Sequence, residues 1–328
     1  MIDKLITFSH LPARLIRHLS ALILSVLCFA GCSQRELCDD HSHTTSVQIE
    51  FDWTDAQDAA PKTMVVYFFP TDNSQYTRIE LTGDGAVSRA AFNTTVKIPA
   101  GTYRVVCHNG DTETNEEQGN IFCNYHLTTY DVSLLAPIKR EIDAPRPDET
   151  EDQPVRAQAS TLYSYTVSEP VVLKPNEDKT IVLKPQRRSA VINVTIDNIE
   201  NLTPEVEFCG VISGLAEAWY PSTDMPGGRD AIVPLLLIPD GSSLRGSMEV
   251  FGDNAPHDVR HKFRLYTSQK YYYDFDVTDQ IHSASDPYNV NITLSGIKLP
   301  GTGNGMDVSV GDWGPAENID CLLYTSPS

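Results

Sequence analysis

Along most of this chain, apolar and polar positions alternate with a period of two rather than 3.6. Val47, Ile49, Phe51 and Trp53 fall on one side, with Gln48, Glu50 and Asp52 on the other. That spacing predicts a half-buried strand. Met64–Phe69 is apolar at every position and stops at Pro70, which fits a central strand covered on both faces. Tyr76–Leu81, Thr95–Ile98, Thr102–His108 and Ile121–Leu127 are further strands, divided by turn signals at Gly83-Asp84-Gly85 and Pro99-Ala100-Gly101. From Ile138 to Ala159 the chain is acidic and proline-bearing, and reads as a long surface excursion that buries no core. Strand pattern resumes in Tyr163–Thr166, Val171–Leu173 and Thr180–Leu183, and Pro185–Arg188 marks a boundary.

Beyond it, Ala190, Ile192, Val194 and Ile196 share a face. Phe208–Ile212, Ala231–Ile238, Leu244–Val250, Lys262–Tyr266 and Tyr271–Val277 continue the theme, and Val290, Ile292 and Leu294 repeat it. Only Gly214–Tyr220 reads as a turn of helix. Alternating strands bury one face each, and two packed antiparallel sheets per body are the natural way to do so. The expected fold is all-β, with two tandem β-sandwiches at 44–186 and 187–320. Residues 321–328 have no periodicity and read as a non-native tail.

Ahead of the strands, Leu19–Cys32 is a short apolar run preceded by Lys4, Arg14 and Arg17. It is too short for a spanning helix, which needs about 20 apolar residues, and it has the layout of an export signal. Phe29-Ala30-Gly31-Cys32 resembles a bacterial lipobox, which implies cleavage after residue 31 and lipidation of Cys32. Residues 1–31 are then a signal peptide and 32–43 a lipidated polar tether.

Removing residues 1–31 takes away three basic residues and one acidic one, and moves the formal net charge from −19 to −21. So acidic a body offers no electrostatic reason to bind nucleic acid or anionic headgroups. Membrane contact is expected from the acyl chains, at least two of which are needed for stable anchoring. Five cysteines follow Cys32, namely Cys38, Cys107, Cys123, Cys209 and Cys321. Cys107 ends one apolar run and Cys123 begins the next, which leaves a cross-strand disulfide between them open.

Candidate chemistry is sparse. Asp39-Asp40-His41-Ser42-His43 packs ligand types together, and His41 and His43 would share one side of an extended chain, yet a solvated tether is the plainer reading. Asp111-Thr112-Glu113-Thr114-Asn115 begins like a calcium loop but has Glu116 where glycine is needed and Phe122 where the bidentate Glu belongs. Gly301–Gly305 lacks the strand-to-helix context of a phosphate cradle. Alternation sends Tyr271 and Tyr273 to the core, leaving Tyr272 outside as the sole candidate for stacking on a sugar ring. No catalytic set, metal site or cofactor is expected.

Several segments in order carry a family likeness: Cys32 with Arg35-Glu36-Leu37-Cys38, Asp40-His41-Ser42-His43, Phe51-Asp52-Trp53, Pro99-Ala100-Gly101-Thr102-Tyr103, Asp274–Gln280 and Asp312-Trp313. Together they resemble the Bacteroidales fimbrillin-like lipoproteins, in the group of anchor and minor subunits of type V pili. The resemblance implies two transthyretin-like domains, an outer-membrane lipid anchor and fimbrial partner subunits joined by β-strand addition. It also implies a structural role rather than an enzymatic one. The alternative is a free-standing surface lipoprotein that binds glycan or host protein. In shaft subunits of such pili an arginine-specific protease removes the first strand. Here Arg89, in a polar stretch, would be accessible to it, and Arg78, inside a strand, would be shielded. Cys32→Ser is expected to abolish acyl labelling and release the protein from the membrane fraction; unchanged labelling would contradict the lipobox reading.

Overall fold

A computed structural model describes residues 43–83, 92–140, 143–254, 259–300 and 314–315. The fold is all-β. The chain enters through β1 (Thr44–Phe51), β2 (Thr63–Pro70), β3 (Thr77–Thr82), β4 (Thr94–Pro99) and β5 (Gly101–Asn109). The hairpin β6 (Asn115–Gln118) and β7 (His126–Thr129) precedes the acidic excursion, after which come β8 (Tyr163–Thr166), β9 (Val171–Leu173), β10 (Asp178–Leu183) and β11 (Gln186–Arg187). The later strands are β12 (Ala190–Asp197), β13 (Phe208–Tyr220), β14 (Met225–Asp240), β15 (Ser243–Val250), β16 (Lys262–Thr267) and β17 (Tyr271–Asp276). A five-residue helix, α1 (Thr278–His282), leads to β18 (Asn289–Ser295) and β19 (Gly314–Pro315). Among the described residues no helix is long and apolar enough to cross a membrane.

The first core lies between a sheet ordered β10-β1-β4 and one ordered β11-β8-β5-β2-β3, with β9 beside β5. Val47 and Ile49 from β1 meet Met64, Val66 and Phe68 from β2 and Val105 and Cys107 from β5. The other face of β2 carries Val65, Tyr67 and Phe69, which Tyr125 and Phe122 cover. The unbroken apolar run of β2 thus reflects burial on both faces. In the second core Ile192, Val194 and Ile196 pack with Phe208, Ile212, Leu235, Phe263, Leu265, Val290 and Ile292. Gly210 leaves room there for side chains of the two flanking strands, since a Cβ would stand 2.6 Å from the Phe263 ring.

Four expectations change. The sheets are mixed: β10 runs parallel to β1, and β18 runs parallel to β12. In both halves the first strand sits between a late strand, parallel, and an antiparallel neighbour. Periodicity reports which face a residue takes, not the direction of its partner strand. Gly214–Tyr220 is strand, the C-terminal half of β13. Leu215, Ala216, Ala218 and Trp219 are all buried, so burial on both faces hides the period. Residues 121–124 form a turn, and pairing begins only at His126.

The largest correction is the excursion. Leu135, Ile138 and Val155 pack on Cys209, Val211, Ile232 and Tyr266, covering the outer face of β13, β14 and β16. Its backbone joins the sheet through Arg156 N donating to Ile232 O at 2.9 Å and Ile232 N to Pro154 O at 2.9 Å. Arg264, only 2 % exposed, donates to the carbonyls of Pro145 and Arg146 at 3.2 and 2.6 Å. Its other arm reaches Asp274 at 2.6 Å, and the guanidinium lies 4.2 Å over the Tyr272 ring. β7 also adds to β13 through Thr128 opposite Ala218 and Leu127 opposite Trp219. Residues 126–159 therefore belong to the second core's sheet as much as to the chain half that encodes them.

Glu217 in β13 fastens this layer by accepting from Arg156 of the excursion and from Arg229 Nη2 at 2.9 Å. Burial alone would raise its pKa, but the hydrogen bonds from Arg229 and Arg156 outweigh that and hold it at about 2 against the ordinary 4.5. A depressed folded-state pKa contributes stability that is complete above the ordinary value and is lost as pH falls from 4.5 towards 2. After solvent screening the contribution is about 1–2 kcal/mol. Glu217→Gln is expected to cost that much at neutral pH and to flatten the stability curve across the acid window, read by denaturant unfolding at a series of pH values.

Candidate functional site

β1 is the first described strand after the tether sequence and is held on both sides. It pairs with β10 from Ser46 opposite Asp178 to Phe51 opposite Leu183, and with β4 from Thr44 opposite Pro99 to Ile49 opposite Thr94. Its entry is fastened by Ala100 N donating to His43 O at 2.6 Å and by Thr45 Oγ1 donating to Lys174 O at 2.6 Å. Farther along, Phe51 N donates to Asn93 Oδ1 at 2.8 Å. Val47 and Ile49 are fully buried. The first described strand is therefore central to its sheet.

An added strand needs a free backbone edge. β10 and β4 bound the first sheet. At the edge strand β18 the Gln280 side chain from α1 occupies one backbone position, accepting from Thr293 N at 2.8 Å and donating to Thr293 O at 3.3 Å. That amide blocks pairing locally, so the edges of the β10-β1-β4 sheet are the better candidates.

The residues singled out from sequence scatter. Cys32, His41 and Arg89 lie outside the described residues. His43 is exposed and engaged through its backbone. Arg78 is in β3 opposite Tyr67, so its peptide is shielded by pairing, but its side chain is exposed and bridges Glu80 at 2.8 Å. In the calcium-like loop, Asp111 Oδ2 accepts from Lys62 N at 2.7 Å, and the Glu113 and Thr114 amides donate to Ser160 Oγ. Its oxygens serve the fold and do not converge. Tyr273 is buried as alternation requires, while Tyr272 sits under Arg264 and the excursion, leaving no open stacking face.

The Cys107–Cys123 disulfide is not formed; both are free thiols. Cys107 points into the first core with Met64 and Val66, on the opposite face of β5 from Val106, which packs with Tyr125 and Phe122 next to Cys123. Period two places neighbours in sequence on opposite faces, and one sheet separates the two sulfurs.

Sequence reading missed one cluster. Asp253, His261 and His282 are brought together from the loop after β15, the residue just before β16 and the end of α1. Their spacing in the chain follows no local motif, so no sequence signal could have found it. Asp253 and His282 also line a cavity of about 400 Å³ with Leu215, Trp219, Ile281 and Tyr288.

A family described as Domain of unknown function (DUF5119) matches residues 31–235. The chain belongs to this family. A candidate fimbrium anchoring subunit of Bacteroides ovatus, Fim4B, is 31 % identical over 101 residues, which is 30 % of this chain and 27 % of that protein. The chain thus spans about a quarter of the length of that curated relative. Among solved structures, a candidate adhesin from Bacteroides ovatus superposes with a TM-score of 0.61 at 16 % identity, over 84 % of this chain and 99 % of that one. A candidate polysaccharide-binding protein from Bacteroides thetaiotaomicron gives 0.51 at 11 % identity, over 77 % and 91 %. At these identities the likeness establishes the fold.

Burial pushes the Cys107 thiol far above its ordinary pKa. A water-soluble alkylating reagent is expected to modify Cys123 in the native protein and to reach Cys107 only after unfolding, with no reductant needed. Peptide mapping showing a 107–123 bridge would restore the disulfide.

Proposed function

We propose that this protein is a cell-surface lipoprotein that serves as an anchor or accessory subunit of a fimbria. In this reading the chain is acylated at Cys32 and held in the outer membrane. Its two bodies, 44–186 and 187–320, present sheet edges to which partner subunits add a strand. The observation that carries the proposal is β1, which follows the tether directly and is paired on both sides and buried. A load on the tether would act along that strand and be shared by all its backbone hydrogen bonds at once. Four inward side chains of β1 and its extension, Val47, Ile49, Phe51 and Trp53, are buried, a burial that a shaft precursor would share before processing, so the lipobox and the anchor resemblance carry the choice between the two. The named role of Fim4B and the adhesin fold of the structural relatives support the same reading. No catalytic step is part of it.

The test is crosslinking on intact cells followed by mass spectrometry of the purified material. The expected result is a mature N-terminus at Cys32 carrying lipid, with fimbrial subunits crosslinked to the β4 or β10 edge. A dominant N-terminus just after Arg89, without lipid, would make this a polymerising subunit. A lipidated protein with no subunit attached but with selective binding on a glycan array would make it a free-standing receptor.

A further inference from the structure

We propose that Asp253, His261 and His282 form a binding site for a divalent transition-metal ion of the zinc class. His261 is fully buried. Its Nδ1 lies 3.0 Å from the Ser213 carbonyl oxygen, which can only accept, so Nδ1 carries the ring proton. That leaves Nε2 to face Asp253 Oδ1 at 3.1 Å and His282 Nε2 at 3.2 Å. Fixing one imidazole nitrogen on a backbone carbonyl is how proteins aim the other at a metal.

The spacing fits. His282 Nε2 is 3.4 Å from Asp253 Oδ2, while His261 Nε2 meets the other carboxylate oxygen, Oδ1, at 3.1 Å and His282 Nε2 at 3.2 Å, so one ligand atom from each residue lies within 4.8 Å of the others. Ligands bound at about 2.0–2.1 Å in a tetrahedral zinc site stand roughly 3.3–3.4 Å apart. Three ligands occupy one face of such a tetrahedron and leave the fourth position to water or another oxygen donor. Asp253 and His282 border the 400 Å³ cavity, from which that donor would come. Two imidazoles favour zinc-class ions over calcium or magnesium, which prefer oxygen.

The scaffold is built before any ion arrives. His261 N donates to Thr278 Oγ1 at 2.9 Å and Val277 N to His261 O at 2.9 Å, which ties α1 to β16. Leu215 bridges to Asp253, and Ala216 N donates to Gly252 O at 3.0 Å. Gly214, at φ +78°, makes the bulge that admits His261; a Cβ there would lie 2.8 Å from Arg260 O and 3.0 Å from His261 Nδ1. An ion would staple the loop after β15, the start of β16 and the helix before β18.

The experiment uses the full-length lipoprotein in detergent, stripped with a chelator and titrated with Zn²⁺ alone. The expected result is one equivalent retained after desalting, a thermal midpoint that rises with free Zn²⁺, and no such response to Ca²⁺. Asp253→Asn and His282→Ala should each lose the stoichiometric ion, while the double change His41→Ala, His43→Ala should keep it. X-ray absorption of the zinc-loaded wild type gives a readout that does not depend on variants folding. Two imidazole ligands at about 2.0–2.1 Å support the site. Absence of a bound equivalent, a shell without two imidazoles, or full binding in both variants would overturn it.

Discussion

The structure depends on covering a sheet that is apolar on both faces. β13 is buried along nearly its whole length, with Phe208 and Ile212 facing the second core and Cys209 and Val211 facing away from it. Leaving that outer face bare would expose a contiguous apolar patch, which folded proteins avoid. The cover is the acidic, proline-bearing stretch after β7. A few apolar residues suffice because Leu135, Ile138 and Val155 are spaced along a chain whose polar backbone is satisfied by the sheet itself. Arg264 shows how such a layer is held. A guanidinium buried at 2 % exposure is tolerated only when its donors are used, and here they bond carbonyls of the excursion and Asp274.

This arrangement ties the two cores into one body. The covering layer is encoded between β7 and β8, in the half of the chain that supplies the first core, yet it lies on the second. β7 extends β13 and Thr128 Oγ1 donates to Glu217 O at 3.0 Å. Farther on, Thr161, Ser189 and Arg187 all reach Glu249 of β15. The parallel placing of β10 beside β1 and of β18 beside β12 gives both entry strands a partner on either side.

The ligand-type cluster sits at the far end of the second core, where the chain crosses from β17 through α1 to β18. The helix does two jobs there. Gln280 blocks the edge of β18, and His282 meets His261 and Asp253. Both depend on α1 being only five residues long and fixed at its start by Thr278.

Much of the fold was legible in the residues themselves. Alternation in Val47–Trp53 and Ala190–Ile196, and the unbroken run Met64–Phe69, specified strands and their buried faces, because side chains project to opposite sides at every step. The lack of a helical stripe excluded a helical core for the same reason. Four things needed the tertiary structure. Strand direction in β1·β10 and β12·β18 depends on how the chain crosses over, which no local period records. Gly214–Tyr220 looked helical because burial on both faces erased its alternation. Charge and proline made residues 138–159 read as solvated, since composition counts polar groups but cannot show that a buried arginine and a sheet edge will satisfy them. The cluster of Asp253, His261 and His282 joins residues separated by turns and strands, and only folding brings their ligand atoms within hydrogen-bonding distance.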